Sequence, residues 1–316
     1  MNVKNFITLL YLLSFVWGQS LRVGFWNVEN LFDLEDDPTT RDEEFALGGR
    51  KNVTQEIYDL KLKNCSYVLA DLNADVLGLC EVENYFVLDE LNNAYADRDY
   101  KIIHYDSPDS RGIDNALLYD QNVFNVLESS PIKNNLPSGK PTRDILYVKG
   151  EYGGHILHIF VNHWPSNYGG KEKAIPKRRA TARLLANEVS TLLSEDPAAE
   201  ILLMGDFNED PTDDNVQILK SVNMTSMMEP MMGQPKIGTY VYKGVDYFLD
   251  QIIISNGLND NKGLIAGKAQ ILDKPFYRQQ EGNYAHYPFR FWAGNRLLGG
   301  YSDHLAVYVD ILNVAP

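Results

Sequence analysis

Cysteine is nearly absent from this 316-residue chain: Cys65 and Cys80 are the only two. That count excludes a thiolate metal site and a disulfide framework, leaving room for one bridge at most. Histidine is scarce too. Of the six, only His155 and His158 are close in sequence, and a regular strand would point them to opposite faces, so zinc finds no ligand set at suitable spacing. Positive charge is in deficit, with 29 Lys and Arg against 43 Asp and Glu, a net of −14. Such a chain does not draw in nucleic acid by bulk attraction, so a phosphate-bearing ligand must be met by a local patch or by bound cations. No apolar run reaches the ~20 residues that a membrane-spanning helix needs. A G-x-x-x-x-G-K-[ST] loop, a G-x-G-x-x-G turn after a strand and a G-x-S-x-G elbow are also missing. Nucleotide-driven transfer, hydride transfer and serine hydrolysis therefore lack support.

The first residues, MNVKNFITLLYLLSFVWGQS, carry Lys4, an apolar run from Phe6 to Trp17, and then Gly18. Charged, apolar and small residues in that order read as an export signal cleaved near Gly18, with one domain over 19–316. The expected location is periplasmic or secreted, with no transmembrane segment after cleavage. No Cys stands at the cleavage point, which disfavours a lipid anchor. Loss of Lys4 moves the net charge from −14 to −15. The acidic stretch DLEDDPTTRDEEF, 33–45, reads as a solvated loop more readily than as a cation site.

Apolar periodicity alternates between the two regular elements. Strands are expected at 21–27, 75–81, 115–120, 155–164, 200–206, 246–255 and 303–312. Helices are expected at 54–73, with Thr54 as N-cap, and at 176–196, with Pro176 at its start. Cys65 falls on the apolar stripe of the first helix and Cys80 in a buried strand. The order also repeats. A strand ending in Asn27, a helix, a strand ending in Glu81 and a strand opening at Asp114 and Asn115 form one half. A strand ending in Asn162 and His163, a helix, a strand ending in Asp206 and a strand carrying Asp250 and Gln251 form the other. Two such α/β halves predict two mixed sheets packed face to face with helices outside, their polar strand ends gathered at one edge.

Each polar strand end has an ordinary explanation on its own: a cap, a turn, a first exposed residue. Together, at matched positions, they select a chemistry. Carboxylates and amides with few nitrogen or sulfur partners favour a hard cation, Mg²⁺ or Mn²⁺, which contacts one or two carboxylates and a substrate phosphate. A structural Ca²⁺ stays open. GGYSDHLAVYV, 299–309, adds Asp303 and His304 just before a strand, and Asp250 in the same half could orient the imidazole.

In order, FWNVEN, LCEVEN, NHWPS, GDFNEDP, LDQIIIS and SDH resemble the endonuclease/exonuclease/phosphatase superfamily across nearly all of residues 19–316. The resemblance implies a DNase I-like four-layer α/β/β/α sandwich and hydrolysis of a phosphoric ester by in-line water attack. By the same resemblance, Glu81 would hold the cation with help from Asn27, and Asp303 would lie beside it. Asp206 would orient or activate the water, with Asn208 fixing its geometry. His163 would donate to the scissile phosphate, and Asp250 would orient His304. Cys80 stands where many members have Gln, and Gln251 where Tyr or His is common.

Arg111, Asn115 and Arg178 are candidate phosphate contacts. Arg178 belongs to the basic cluster KEKAIPKRRATARLL, 171–185, whose helix start lies near the expected site, and a helix start favours phosphate. The Tyr-, Phe- and Arg-rich stretch 275–304 could stack on bases or pack its own rings. An exported nuclease of low sequence specificity is the expected function. A phosphatase or phospholipid-headgroup phosphodiesterase, of inositol phosphate or sphingomyelin type, is the alternative.

Overall fold

The computed structural model describes residues 20–314. The segment read as an export signal, with its expected cleavage point at Gly18, lies outside the described residues.

The chain runs β1 (Leu21–Leu31), α1 (Gln55–Leu72), β2 (Val76–Val82), α2 (Tyr85–Ala94), β3 (Lys101–His104), β4 (Asp114–Tyr119), β5 (Asn125–Ile132) and β6 (Ile145–Tyr152). It continues with β7 (His155–His163), α3 (Lys171–Glu195), β8 (Glu200–Asp206), α4 (Asp214–Lys220), β9 (Met224–Ser226), β10 (Tyr240–Tyr242), β11 (Val245–Tyr247) and β12 (Asp250–Ser255). It closes with β13 (Gly263–Ala266), β14 (Gln270–Ile271), β15 (Trp292–Ala293), β16 (Arg296–Leu297) and β17 (Val307–Val314).

Two mixed sheets carry the fold. One has the strand order β13-β17-β1-β2-β4-β3, with β14 also on β17; the other has the order β5-β6-β7-β8-β12-β9. In each, one parallel pair is bridged by a helix, β1–β2 by α1 and β7–β8 by α3, and antiparallel strands flank the pair. The repeat expected from the sequence is present in the hydrogen bonding: β1-α1-β2-β4 is matched by β7-α3-β8-β12.

Strand alternation sends one set of side chains between the sheets and the other outward. Phe25, Val76, Leu117, Val148, Ile159, Val161, Leu202, Met204, Ile252, Val307 and Val309 meet in the central core. On the outer face of the first sheet, Leu77 and Leu79 pack with Val68, Leu69 and Leu72 of α1 and Val87, Leu88 and Leu91 of α2. On the outer face of the second, Phe160, Ile201 and Leu203 pack with Leu185 and Val189 of α3 and Val216 and Leu219 of α4. Each such buried aliphatic side chain contributes about 1.5–3 kcal/mol relative to exposure. The result is the four-layer α/β/β/α sandwich.

Helix ends follow local chemistry. Thr54 caps α1 through Oγ1, which accepts from the Ile57 amide at 3.4 Å, and Asn73 ends it in the left-handed region. Helix α3 starts at Lys171, five residues before the expected start, with Pro176 inside it. Proline removes a single bond there, to the carbonyl of exposed Glu172, which solvent can satisfy. The expected strand 246–255 is broken at Phe248 and Leu249, and the expected strand at 303–312 begins at Val307, so Asp303 and His304 sit in the turn before it. Both cysteines are buried free thiols, Cys65 in the outer core and Cys80 in the central one. The acidic 33–45 stretch forms turns and is largely exposed, though Asp42 is buried.

Gly205 precedes Asp206 for a packing reason. A Cβ there would lie 2.3 Å from the carbonyl oxygen of Asn162 on β7. Gly205→Ala is expected to wedge β7 from β8 and lower stability by about 1–3 kcal/mol. Thermal or urea unfolding reads this, and an unchanged melting temperature would remove the packing constraint.

Candidate active site

Three neighbouring strands of the second sheet end in register. His163 on β7 and Asp250 on β12 are both paired with Asp206 on β8. The chain then turns sharply. Asn208 takes φ +52°, a left-handed conformation that Asn tolerates, and its amide donates to Asp206 Oδ1 at 2.9 Å. Its side chain reaches back to the Trp164 carbonyl oxygen at 3.1 Å.

The first sheet meets this row with a bulge. The β1–β2 and β2–β4 registers both shift around Glu81, which takes φ +61°. Bulges re-aim a side chain, and a left-handed Glu is a strained conformation held by its surroundings. Here Glu81 Oε2 accepts from the Asn30 amide at 3.1 Å, and Oε1 lies 3.8 Å from His163 Nε2. From β1, Asn27 donates to Asp206 Oδ2 at 3.2 Å.

His304 completes the group. Its Nδ1 is 2.7 Å from Asp250 Oδ2, and its Nε2 is 4.0 Å from Asp206 Oδ2. His163 Nε2 is 3.7 Å from the same Asp206 oxygen. The turn bearing His304 is pinned by Ser302, whose Oγ donates to the Asn27 carbonyl at 2.7 Å and accepts from the His304 amide at 3.0 Å. Asn64 on α1 holds the two glycines upstream, donating to the Gly299 and Gly300 carbonyls at 3.0 and 2.7 Å.

The two imidazoles are driven apart electrostatically. Burial favours neutral His304, but Asp250 and Asp206 outweigh it and hold its pKa well above the ordinary value. Burial pushes His163 well below, helped by the positive Arg143, Arg111 and His304. One ring is therefore a cation and the other neutral at neutral pH. Burial also pushes Asp206 up to about 7, against the pull of His304, with Asp250 and Glu81 adding repulsion.

The group fits a hard cation. Asp206 and Asp250 present carboxylate oxygens close to one another, protonated His304 beside them is not a ligand, and Asp250 Oδ1 is buried with no hydrogen-bond partner among the described residues. Glu81 adds a carboxylate on the opposite sheet. Oxygen donors of this kind suit Mg²⁺ or Mn²⁺ better than zinc.

The other sequence candidates are less central. Asp303 is held by Arg290 at 2.9 Å, Arg290 also approaches Glu29 at 3.4 Å, and the charge of Asp303 adds to the pull that keeps His304 protonated. Arg111 is half-exposed, with Nη1 3.9 Å from Glu81 Oε1. Asn115 donates to the Asp144 carbonyl at 2.8 Å and leaves a buried Oδ1 without a partner among the described residues. Arg178 is fully buried. It donates to Glu209 Oε1 at 2.7 Å and to the Pro165 carbonyl and Asn167 at 3.0 and 3.1 Å, so it braces the loop after β7 and does not face a ligand. Much of the aromatic stretch 275–304 packs on itself, with Tyr277, Phe291 and Trp292 buried.

Sequence reading missed Arg143 and Tyr240. Arg143 is buried between Asp109 Oδ2 at 3.0 Å and the Trp164 carbonyl at 2.9 Å. Tyr240 lays its ring on His304, with centroids 4.8 Å apart. A lone Arg before a strand carries no signal, whereas the alternating Tyr of TYVY could have drawn notice.

Asp206 carries a testable imbalance. Its folded pKa of about 7 exceeds an unfolded value of about 3.9. The carboxyl therefore favours folding fully below the unfolded value, and that contribution is lost as pH rises through the folded one. Asp206→Asn is expected to melt at a higher temperature than the parent at pH 8 in EDTA, with the difference vanishing near pH 4. A lower melting temperature at pH 8 would contradict the buried-charge assignment.

Comparison with known proteins bears on the fold and the family. No curated protein sequence matches the chain. Among solved structures, zebrafish (D. rerio) TDP2 complexed with a single-strand DNA product is 16% identical, with a TM-score of 0.60 over 92% of this chain and 98% of that one. The catalytic domain of human Nocturnin with bound sulfate is 18% identical, with a TM-score of 0.58 over 93% and 95%. A mannosyl-6-phosphatase of Bacteroides thetaiotaomicron is 18% identical, with a TM-score of 0.60 over 93% and 100%. At such identities the likeness is one of fold. A sequence profile described as the Endonuclease/Exonuclease/phosphatase family matches residues 22–313, and the chain belongs to that family.

Proposed function

We propose that this protein is a divalent-metal-dependent phosphodiester hydrolase, an exported nuclease of low sequence specificity. The observation that carries the hydrolase reading is the meeting of Glu81, His163, Asp206 and the Asp250–His304 pair at one sheet edge. Family membership supports it, since endonucleases, exonucleases and phosphatases all hydrolyse phosphoric esters.

Glu81 would hold the cation, Mg²⁺ or Mn²⁺, with Asn27 beside it. When bound, such an ion neutralises charge on the phosphate and orients it. Asp206 takes the proton of the attacking water: Asn27 and the Asn208 amide fix its two oxygens. Neutral His163 offers a ring N–H to a phosphate oxygen. Protonated His304, held by Asp250, stabilises the charge that develops at phosphorus. Both thiols are buried, so the chain offers no exposed cysteine as a covalent nucleophile, in keeping with direct water attack.

The nuclease reading rests on a hairpin. Strands β10 and β11 are joined by Lys243 and Gly244, both at positive φ, the conformation of a tight two-residue turn. Tyr240 is paired with Tyr247 and Tyr242 with Val245, so all four share one face. At its base Tyr240 covers His304; at its tip Tyr242 and Val245 are exposed. Tyrosines leading out of the site, with Lys243 Nζ 5.3 Å from the Tyr242 ring centroid, suit stacking on nucleobases, whatever their sequence. The DNA product bound to the TDP2 relative is consistent with this. Export rests on the N-terminal pattern alone, and glycine 18 remains the proposed cleavage point.

A phosphatase acting on a small ester is the second reading. The net charge of −14 favours it, as does the fold of the mannosyl-6-phosphatase. Purified protein should be incubated with plasmid DNA, single-stranded DNA, RNA, sphingomyelin, inositol phosphates and mannose 6-phosphate, with Mg²⁺ or EDTA. Nucleic-acid cleavage that EDTA and His304→Ala abolish is expected. Tyr242→Ala is expected to lower kcat/KM on single-stranded DNA about tenfold, the loss of one stacked base. Free phosphate from a small ester with intact nucleic acid would favour the second reading.

A further inference from the structure

Between the two halves of the site lies a chain of polar contacts whose middle members, Arg111, Asp109 and Arg143, the proposed chemistry does not use. It starts at Glu81, whose Oε1 is 3.9 Å from Arg111 Nη1. Arg111 leans on Asp109, which accepts from its backbone amide at 2.9 Å and lies 3.5 Å from its Nε. Asp109 Oδ2 in turn accepts from Arg143 Nη1 at 3.0 Å. Arg143 Nη2 donates to the Trp164 carbonyl at 2.9 Å, and Asn208 Nδ2 donates to that same oxygen at 3.1 Å. Asn208 then returns to Asp206 through its amide.

We infer that the buried Asp109–Arg143 pair is a positioning unit that sets the guanidinium of Arg111 beside Glu81 and locks that side of the site to the Asp206 side. Three observations carry this. Asp109 and Arg143 are 7% and 6% exposed, so their geometry is held by packing as well as by charge. Asp109 touches Arg111 at both backbone and side chain, as a group that only filled space would not. Arg143 ends on the one carbonyl that also anchors Asn208, so the pair reaches both sheets' contributions. Removing one member of a buried ion pair leaves the other charge uncompensated, which makes the pair rigid rather than adaptable. Arg111 thereby meets a substrate phosphate already aimed, a gain that appears in ground-state binding. Arg111 is also one of few cations close to the site of an acidic protein, so its placement matters more than it would on a basic surface.

The inference rests on the phosphoester-hydrolase reading and is separable from it by a double-mutant cycle with two readouts. One is steady-state hydrolysis of bis(4-nitrophenyl) phosphate with Mg²⁺; the other is calorimetric binding of inorganic phosphate with Mg²⁺. Arg111→Ala is expected to raise KM and weaken phosphate binding about tenfold, with little change in kcat. Asp109→Asn is expected to do the same to a smaller extent while keeping a folded melting transition. The double variant is expected to match Arg111→Ala alone, because Asp109 acts through Arg111. Arg143→Lys, which keeps the charge but not both contacts, is expected to fall between parent and Asp109→Asn. Multiplying losses in the double variant, or an unchanged KM and phosphate affinity in Asp109→Asn, would overturn the assignment. A parent without hydrolysis would count against the hydrolase reading alone, and the phosphate-binding cycle would still decide the role of the pair.

Discussion

Like-charge crowding is the constraint on which the rest of this structure depends. Asp206 and Asp250 are paired across neighbouring strands, Glu81 faces them from the other sheet, and all three are shielded from water to a large degree. Burial first, and then the charges of Asp250 and Glu81, make Asp206 resist ionisation unless a positive charge stands near it. Protonated His304 supplies one such charge, and it is held at 2.7 Å from Asp250. A divalent cation on the oxygen-rich side would supply the rest and return Asp206 to its ionised form. A bound cation would therefore offset the charge of the site, and would give an acidic protein a local means of meeting a phosphate ester.

Rigidity in the scaffold keeps that crowding from relaxing. The close approach of Gly205 to β7 fixes His163 beside Asp206, and the bulge at Glu81 bends a strand that would otherwise carry its carboxylate to another face. Asn27 and Asn208 each hold one oxygen of Asp206. Strain of this kind persists where surrounding contacts over-determine the backbone, and here those contacts are the ladders on both sides of β2. Two similar halves, each built on a helix-bridged parallel pair, place the strained residue of one opposite the row of the other.

The residues that meet at the candidate site were mostly legible in the sequence. Glu81, His163, Asp206, Asp250 and His304 each stand at or near a strand boundary, where a period-2 pattern stops and polar residues begin, whereas Asn27, expected at the end of a strand 21–27, lies inside β1, which runs on to Leu31. Asn64, by contrast, heads an N-x-S/T triplet in the sequence but is tied to the Gly299 and Gly300 carbonyls in the structure. Arg178 looked like a phosphate contact because it sits in a basic cluster near a helix start. Only the path of the turn after β8 shows that Glu209 takes its charge. That Asp303 pairs with Arg290, thirteen residues earlier, was equally hidden in the sequence. Composition cannot reveal which of several nearby charges will pair, since that is settled by rotamers and burial.

The amino-acid sequence by itself determined the alternation of elements, the repeated half, the oxygen-rich donor set and the family motifs. These follow from local periodicity and residue chemistry, which need no knowledge of distant contacts. Tertiary structure alone decided the protonation contrast between the two histidines, the tie from Asp109 through Arg143 to Asn208, and the tilted packing of Tyr240 against His304. Each of these depends on groups far apart in the chain meeting in a low-dielectric interior. There a displacement of an ångström changes an electrostatic interaction severalfold more than it would in water.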